Sequence, residues 1–165
     1  MPKKPVRVER EPTHYLNVDL DIFASAPLDD LVRAMGERVF VLHVGGQRRK
    51  YEAHLELASS HMRMSADKTI VGLIDLVQRL PPRFRKVWDS AKAREFNVGI
   101  EAGVEPHAFE LRLQPRTVDA LSRVRGALVF TVYARDLSVA GAGPSDGTPP
   151  RVPPKPGRRG EAESR

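Results

Sequence analysis

From His14 to Phe23 apolar and polar residues alternate without a break, Leu16, Val18, Leu20 and Ile22 on one side and Asn17, Asp19 and Asp21 on the other. A period of two predicts a half-buried strand. Ala26-Pro27 then opens a short helix, with Pro27 in its first turn and Asp29 and Asp30 complementing the positive end of the helix dipole. Leu28, Leu31, Val32 and Met35 form its apolar stripe, and Gly36 is the expected stop. Val39 to Val44 reads as a more fully buried strand and Gly45-Gly46 as a turn. Tyr51, Ala53, Leu55 and Leu57 then alternate against Glu52, His54 and Glu56, the returning arm of a hairpin.

In the second half Ser65 is placed to cap a helix from about Ala66 to Leu80, with Ile70, Leu73, Ile74 and Val77 at helical spacing. Pro81-Pro82 stops it, and Pro82 starts another helix that turns Phe84, Val87, Trp88 and Ala91 inward. Phe96, Val98 and Ile100 alternate with Glu95, Asn97 and Glu101 in a further strand, and Phe109, Leu111 and Leu113 predict another. Pro115 starts a helix with Val118, Leu121 and Val124 on one side, closed by Gly126, and Ala127 to Ala134 is the last strand. The order βαββααββαβ predicts an α+β fold, an antiparallel or mixed sheet with its helices gathered on one face.

Length and charge refine this picture. The chain has 165 residues, 41% of them hydrophobic, enough for one core. Its net charge of +6 lies mostly at the ends. Residues 1–13 carry four Lys/Arg against two acids, and 137–165 carry five against three. Nine of the 14 prolines fall in the same two segments. The reading is a basic N-terminal arm (1–13), a single domain (14–136) and a disordered Pro/Gly/Arg-rich tail (137–165). With no cysteine, disulfides and thiolate chemistry are excluded. No apolar run reaches the roughly 18–20 residues of a membrane span, and no apolar stretch follows the basic start as a signal peptide requires. The expected location is the cytoplasm.

Candidate chemistry is sparse. Ser65-Ala-Asp-Lys68 has the S-x-x-K spacing of a serine nucleophile and its lysine base, but the companion motifs S-D-N and K-T-G are missing, so Ser65 reads as a cap. Glu52, His54 and Glu56 share one face of a strand, with His61 in the loop beyond, yet positions two apart on a strand are about 6–7 Å apart, too far to share one ion unaided. No metal, cofactor or catalytic residue is assigned, and the expectation is a protein that is not an enzyme. Arg79, Arg83, Arg85, Lys86, Lys92 and Arg94 face a lone Asp89, a basic segment that could grip the phosphates of nucleic acid together with the basic tails. Pro153 to Arg158 fits a P-x-x-P-x-R polyproline ligand, a pattern that arises readily in such a tail.

The outward positions of the strands are more informative. Asp19 and Asp21, Glu52, His54 and Glu56, and Glu95 and Glu101 all point away from the predicted core. If their strands share a sheet, its open face is polar and acidic. Such a face is ordinary solvated surface in most antiparallel sheets, and it is also a docking surface for a basic partner.

Tyr15-Leu-Asn-Val-Asp-Leu-Asp-Ile22, Pro27-Leu-Asp-Asp-Leu31 with Gly36, and Leu111-Arg-Leu-Gln-Pro-Arg-Thr-Val-Asp-Ala-Leu121 leading to Val129-Phe-Thr-Val-Tyr133 carry a resemblance. Over most of 14–136 the chain resembles an uncharacterised bacterial family of unknown function, whose members share a first alternating strand, a "P-x-x-L…LG" helix and a closing "L-x-P" helix before a strand ending in Tyr. Some members are suggested to be immunity or defence proteins, which implies protein binding and no catalysis, and the acidic face adds that the expected partner is a basic, toxin-like protein. The leading expectation is therefore a protein-binding domain that uses Asp19, Asp21, Glu52, His54, Glu56, Glu95 and Glu101. The alternative is a nucleic-acid-associated protein that uses its tails and Arg79–Arg94.

Overall fold

The computed structural model describes residues 12–59 and 64–134. Most of the arm, the whole of 137–165 with its polyproline pattern, and His61 lie outside these. The described chain is an α+β fold: β1 (His14–Ala24), α1 (Asp29–Met35), β2 (Val39–Gln47), β3 (Lys50–Leu57), α2 (Ala66–Gln78), α3 (Pro82–Ser90), β4 (Ala93–Glu101), α4 (Pro115–Arg123) and β5 (Ala127–Tyr133). The sheet order is β2-β3-β1-β4-β5. All neighbours are antiparallel except β4 and β5, which run parallel across the α4 crossover. Among the described residues, no helix is long and apolar enough to cross a membrane.

Alternation places the core. Val18, Leu20 and Ile22 of β1, Ala53 and Leu55 of β3, and Phe96 and Val98 of β4 are fully buried and meet Ile70, Leu73 and Val77 of α2. Trp88 of α3 is equally buried and donates its indole N–H to the Val124 carbonyl at 3.0 Å, tying α3 to the end of α4. Ser65 is a cap: its Oγ accepts from the Lys68 N–H at 3.4 Å. Much of the basic segment is structural. Arg94 donates to the carbonyls of Trp88, Ala91 and Arg125, Arg85 pairs with Asp89, and Lys92 donates to the Arg49 carbonyl.

Several expectations are corrected. Val39–Val44 is not a buried strand: β2 lies at the sheet edge, and Phe40, Val41 and Leu42 are about half exposed. Gly45-Gly46 is not the hairpin turn. Both lie in β2, and the turn is Arg48-Arg49 between the paired Gln47 and Lys50. A two-residue hairpin demands left-handed central residues, and these adopt φ of 52° and 65°. Gly46 instead permits a close approach, since a Cβ there would stand 2.2 Å from the Lys50 carbonyl oxygen. Phe109–Leu113 forms no strand. Leu111 and Leu113 instead lie half-buried against the core without pairing to the sheet, and Phe109 is exposed. In α4 the exposed Val118 gives way to Thr117, which is buried with Leu121 and Val124. The first helix begins at Asp29 with Leu28 at its cap, leaving Pro27 outside.

One correction bears on the open face. The β1–β4 register shifts between Tyr15 and Val18, so three residue steps on β1 span two on β4. This bulge sends Tyr15 toward the core, where its hydroxyl reaches Thr69 of α2 at 3.4 Å. Leu16, expected inside, is turned out.

Candidate functional site

The helices cover one face of the sheet, and the register orders the other into rows. Phe40, Glu56, Asp19, Asn97 and Val129 form one row from β2 to β5. His43, His54, Asp21, Glu95 and Ala127 form the next. Beyond it come Gly45, Glu52, Phe23 and Ala93. On the other side of the first row Thr131 lies beside Gly99, and His14, Glu101 and Tyr133 close the end. The expected site residues thus share one face, because strand alternation turns them all away from the core.

They are not equally available. Asp21 is only 1% exposed and Asn97 4%, at the centre of the face. A polar line runs through them across the sheet. The Thr131 hydroxyl donates to Asn97 Oδ1 at 2.7 Å, Asn97 Nδ2 lies 3.5 Å from Asp21 Oδ2, and His54 Nδ1 lies 2.6 Å from Asp21 Oδ1. Glu52 continues the line with its oxygens 3.8 Å from His54 Nε2 and 3.6 Å from His43 Nε2 on β2. A second set lies beside it: Asn17 Nδ2 donates to Asp19 Oδ1 at 2.8 Å and to Glu56 Oε1 at 2.6 Å. Asp21 is therefore an internal strut of this face, in contrast to its expected role as a direct contact. Asp19, Glu52, Glu56, Glu95 and Glu101 form the accessible acidic surface around it.

Asp21 and His54 resemble the base half of a catalytic pair, an imidazole oriented by a buried carboxylate. Among the described residues, the group beside the other nitrogen is the Glu52 carboxylate, and the Thr131 hydroxyl is committed to Asn97. A metal reading of Glu52, His54 and Glu56 fares no better, because His54 turns to Asp21 and Glu56 to Asn17. Among the described residues, no group of three or more His, Asp or Glu side chains is arranged to hold a metal ion. A hollow lined by Asp30, Arg33, Ala34, Arg83 and Phe84 belongs to α1 and α3, and the open face carries the carboxylates.

Sequence patterning misses the apolar part of the face. Leu16 is 43% exposed, Tyr133 39% and Phe40 44%. Gly99 draws the first two together: a Cβ there would meet Leu16 Cβ at 3.5 Å, Tyr133 Cε2 at 3.6 Å and Asn17 Oδ1 at 2.7 Å. A shallow apolar corner thus adjoins Glu101, and Phe40 flanks Glu56 on the far side. The signal that marked this corner was Gly99 in mid-strand, which often denotes a bulge or close approach.

Compared with known proteins, the chain matches no family model, no curated protein and no solved structure.

Proposed function

We propose that this chain is a non-enzymatic protein-binding domain that docks a basic partner on the open face of its sheet, in the immunity-type role that the family resemblance implies. One observation carries the reading: a sheet face that none of the described helices covers, whose carboxylates surround a hydrogen-bonded centre, with Leu16 and Tyr133 at one corner and Phe40 across from them. Acidic groups steer and orient a basic surface, and apolar side chains supply the contacts that hold it. The nucleic-acid alternative draws less support, since Arg85, Lys92 and Arg94 are engaged within the fold.

The test compares wild type with an Asp19→Lys, Glu52→Lys, Glu95→Lys variant. A partner is captured from the source cells, purified, and titrated against both proteins at low and high salt. We expect the variant to bind at least about tenfold more weakly and the wild-type complex to weaken as salt rises. Equal affinities, with both proteins folded by circular dichroism, overturn the reading.

A further inference from the structure

β5 leaves one side of its backbone open. It forms an edge of the sheet, and among the described residues no strand lies beyond it. It meets β4 in seven consecutive pairs, from Glu95 with Ala127 to Glu101 with Tyr133, and no register shift interrupts them. The Ala102 N–H donates to the Tyr133 carbonyl at 2.9 Å, so the backbone groups of Tyr133 and, by alternation, of Thr131 and Val129 turn toward β4. Those of Leu128, Phe130 and Val132 therefore turn outward along the edge.

Sheet edges are ordinarily kept from pairing by charges, prolines, bulges or short strands. β2, at the opposite edge, carries a bulge between Val41 and His43 and a Gly46 with φ of 130°. β5 has no such device: Ala127-Leu-Val-Phe-Thr-Val-Tyr133 contains no charge, no proline and no glycine. The residues with outward backbone groups also carry uncovered apolar side chains, Phe130 being 51% exposed and Val132 62%.

We propose that β5 is a self-association edge, which pairs antiparallel with β5 of a second copy of the chain about a two-fold axis at Phe130. In this register Phe130 faces Phe130 of the second copy, and Leu128 faces Val132. Each pair exchanges two backbone hydrogen bonds, so the outward groups of all three residues find partners in both chains. Charge favours the antiparallel sense. The exposed Arg125, two residues before the strand, comes beside the end of the other strand where Glu101 pairs with Tyr133. Along the paired strands no like charges oppose one another. A two-fold pair is closed, and it leaves only the bulged β2 edges outside, so association stops at the dimer. Self-association of this edge stands whatever the open faces bind.

Sedimentation equilibrium of the full chain, from about 1 to about 500 μM, reads the association. The mass is expected to rise from 18.4 kDa toward twice that value. Phe130→Lys sets two charges against each other at the axis and is expected to weaken association at least about tenfold. Val132→Pro removes an outward N–H that β4 does not use and is expected to act in the same direction. Circular dichroism establishes that each variant is folded. Because the chain has no cysteine, Phe130→Cys reads the register directly. Paired Cα atoms about 5.5 Å apart lie within disulfide reach, so mild oxidation is expected to link the dimer. Val118→Cys, at the 50% exposed Val118 of α4, is expected to stay unlinked. A wild type that remains monomeric over the whole range overturns the proposal. So does a folded Phe130→Lys or Val132→Pro variant that associates as strongly as the wild type, equal linking of the two cysteine variants, or a mass that climbs past the dimer. If neither edge variant folds, the wild-type masses and the disulfide linking decide the matter.

Discussion

Asp21 Oδ1 and His54 Nδ1 stand 2.6 Å apart across the β1–β3 ladder, the aspartate side chain 1% exposed and the imidazole 20%. An acid so deeply set in a nominally open face depends on its partners, because burying a carboxylate is costly unless hydrogen bonds replace its water. Asn97 approaches from the β4 side, and Thr131 braces Asn97 from β5. This line of polar groups ties four adjacent strands together.

Removing the strut destabilises the sheet. Asp21→Ala takes an acceptor from both His54 and Asn97 and is expected to cost about 2–4 kcal/mol, while Asp21→Asn, which keeps the shape and one acceptor, costs about 1 kcal/mol. Urea unfolding followed by circular dichroism measures both. An alanine variant with the wild-type midpoint would show that the line contributes nothing to stability.

The Arg48-Arg49 turn is the opposite case, a place where the native residues are strained. Both occupy left-handed φ, which costs a residue with a Cβ about 1 kcal/mol and a glycine almost nothing. Arg48→Asn with Arg49→Gly is therefore expected to raise stability by about 1 kcal/mol and Tm by about 3–5 °C. Calorimetry decides it, and an unchanged or lowered Tm counts against a left-handed pair at this turn.

Which of these features the sequence declares depends on the physics behind each. Val18, Leu20, Ile22, Phe96 and Val98 were legible because strand alternation alone decides which side of a sheet a residue faces. Alternation says nothing of depth: Asp21 is outward and yet buried, since Asn97 and His54 close over it from neighbouring strands. Nor does an apolar run reveal its place in the sheet order, so Phe40, Val41 and Leu42 read as a core strand although they form the edge. Leu16 escaped for a third reason. A bulge belongs to a pair of strands, and its position is set by the partner, here at Gly99. The acidic half of the face was therefore visible in the sequence pattern, whereas its apolar corner left only Gly99 in mid-strand as a mark.

Tyr15 links the face to pH. Burial pushes its phenol above the ordinary value of 10.0, the hydrogen bond with Thr69 opposes the rise, and the charges of Asp19 and Glu56 add to it. The unfolded chain releases this proton at about pH 10, the folded chain only at higher pH. The neutral phenol's contribution is thus complete below about pH 10 and is lost as pH climbs through the folded value. Tyr15→Phe is expected to flatten the decline of stability above pH 10 relative to wild type. Parallel declines for the two proteins in alkaline urea titrations would remove Tyr15 as the cause.

If the face docks a basic partner as proposed, its two components separate in the kinetics of binding. Long-range attraction acts before contact, so Glu52→Lys or Glu95→Lys is expected to slow association and reduce its salt dependence. Leu16→Ala and Tyr133→Ala leave the charge unchanged and act only after contact, through lost apolar burial. Their effect is expected in dissociation, about tenfold faster for Tyr133→Ala if the corner is a central anchor. Leu16 is 43% exposed and Tyr133 39%, so each truncation is expected to cost about 1 kcal/mol of stability, and circular dichroism on both variants separates altered binding from unfolding. Surface plasmon resonance with the purified partner resolves both rate constants. A Tyr133→Ala variant that dissociates at the wild-type rate shows that the apolar corner lies outside the contact and leaves the carboxylates to carry the interaction.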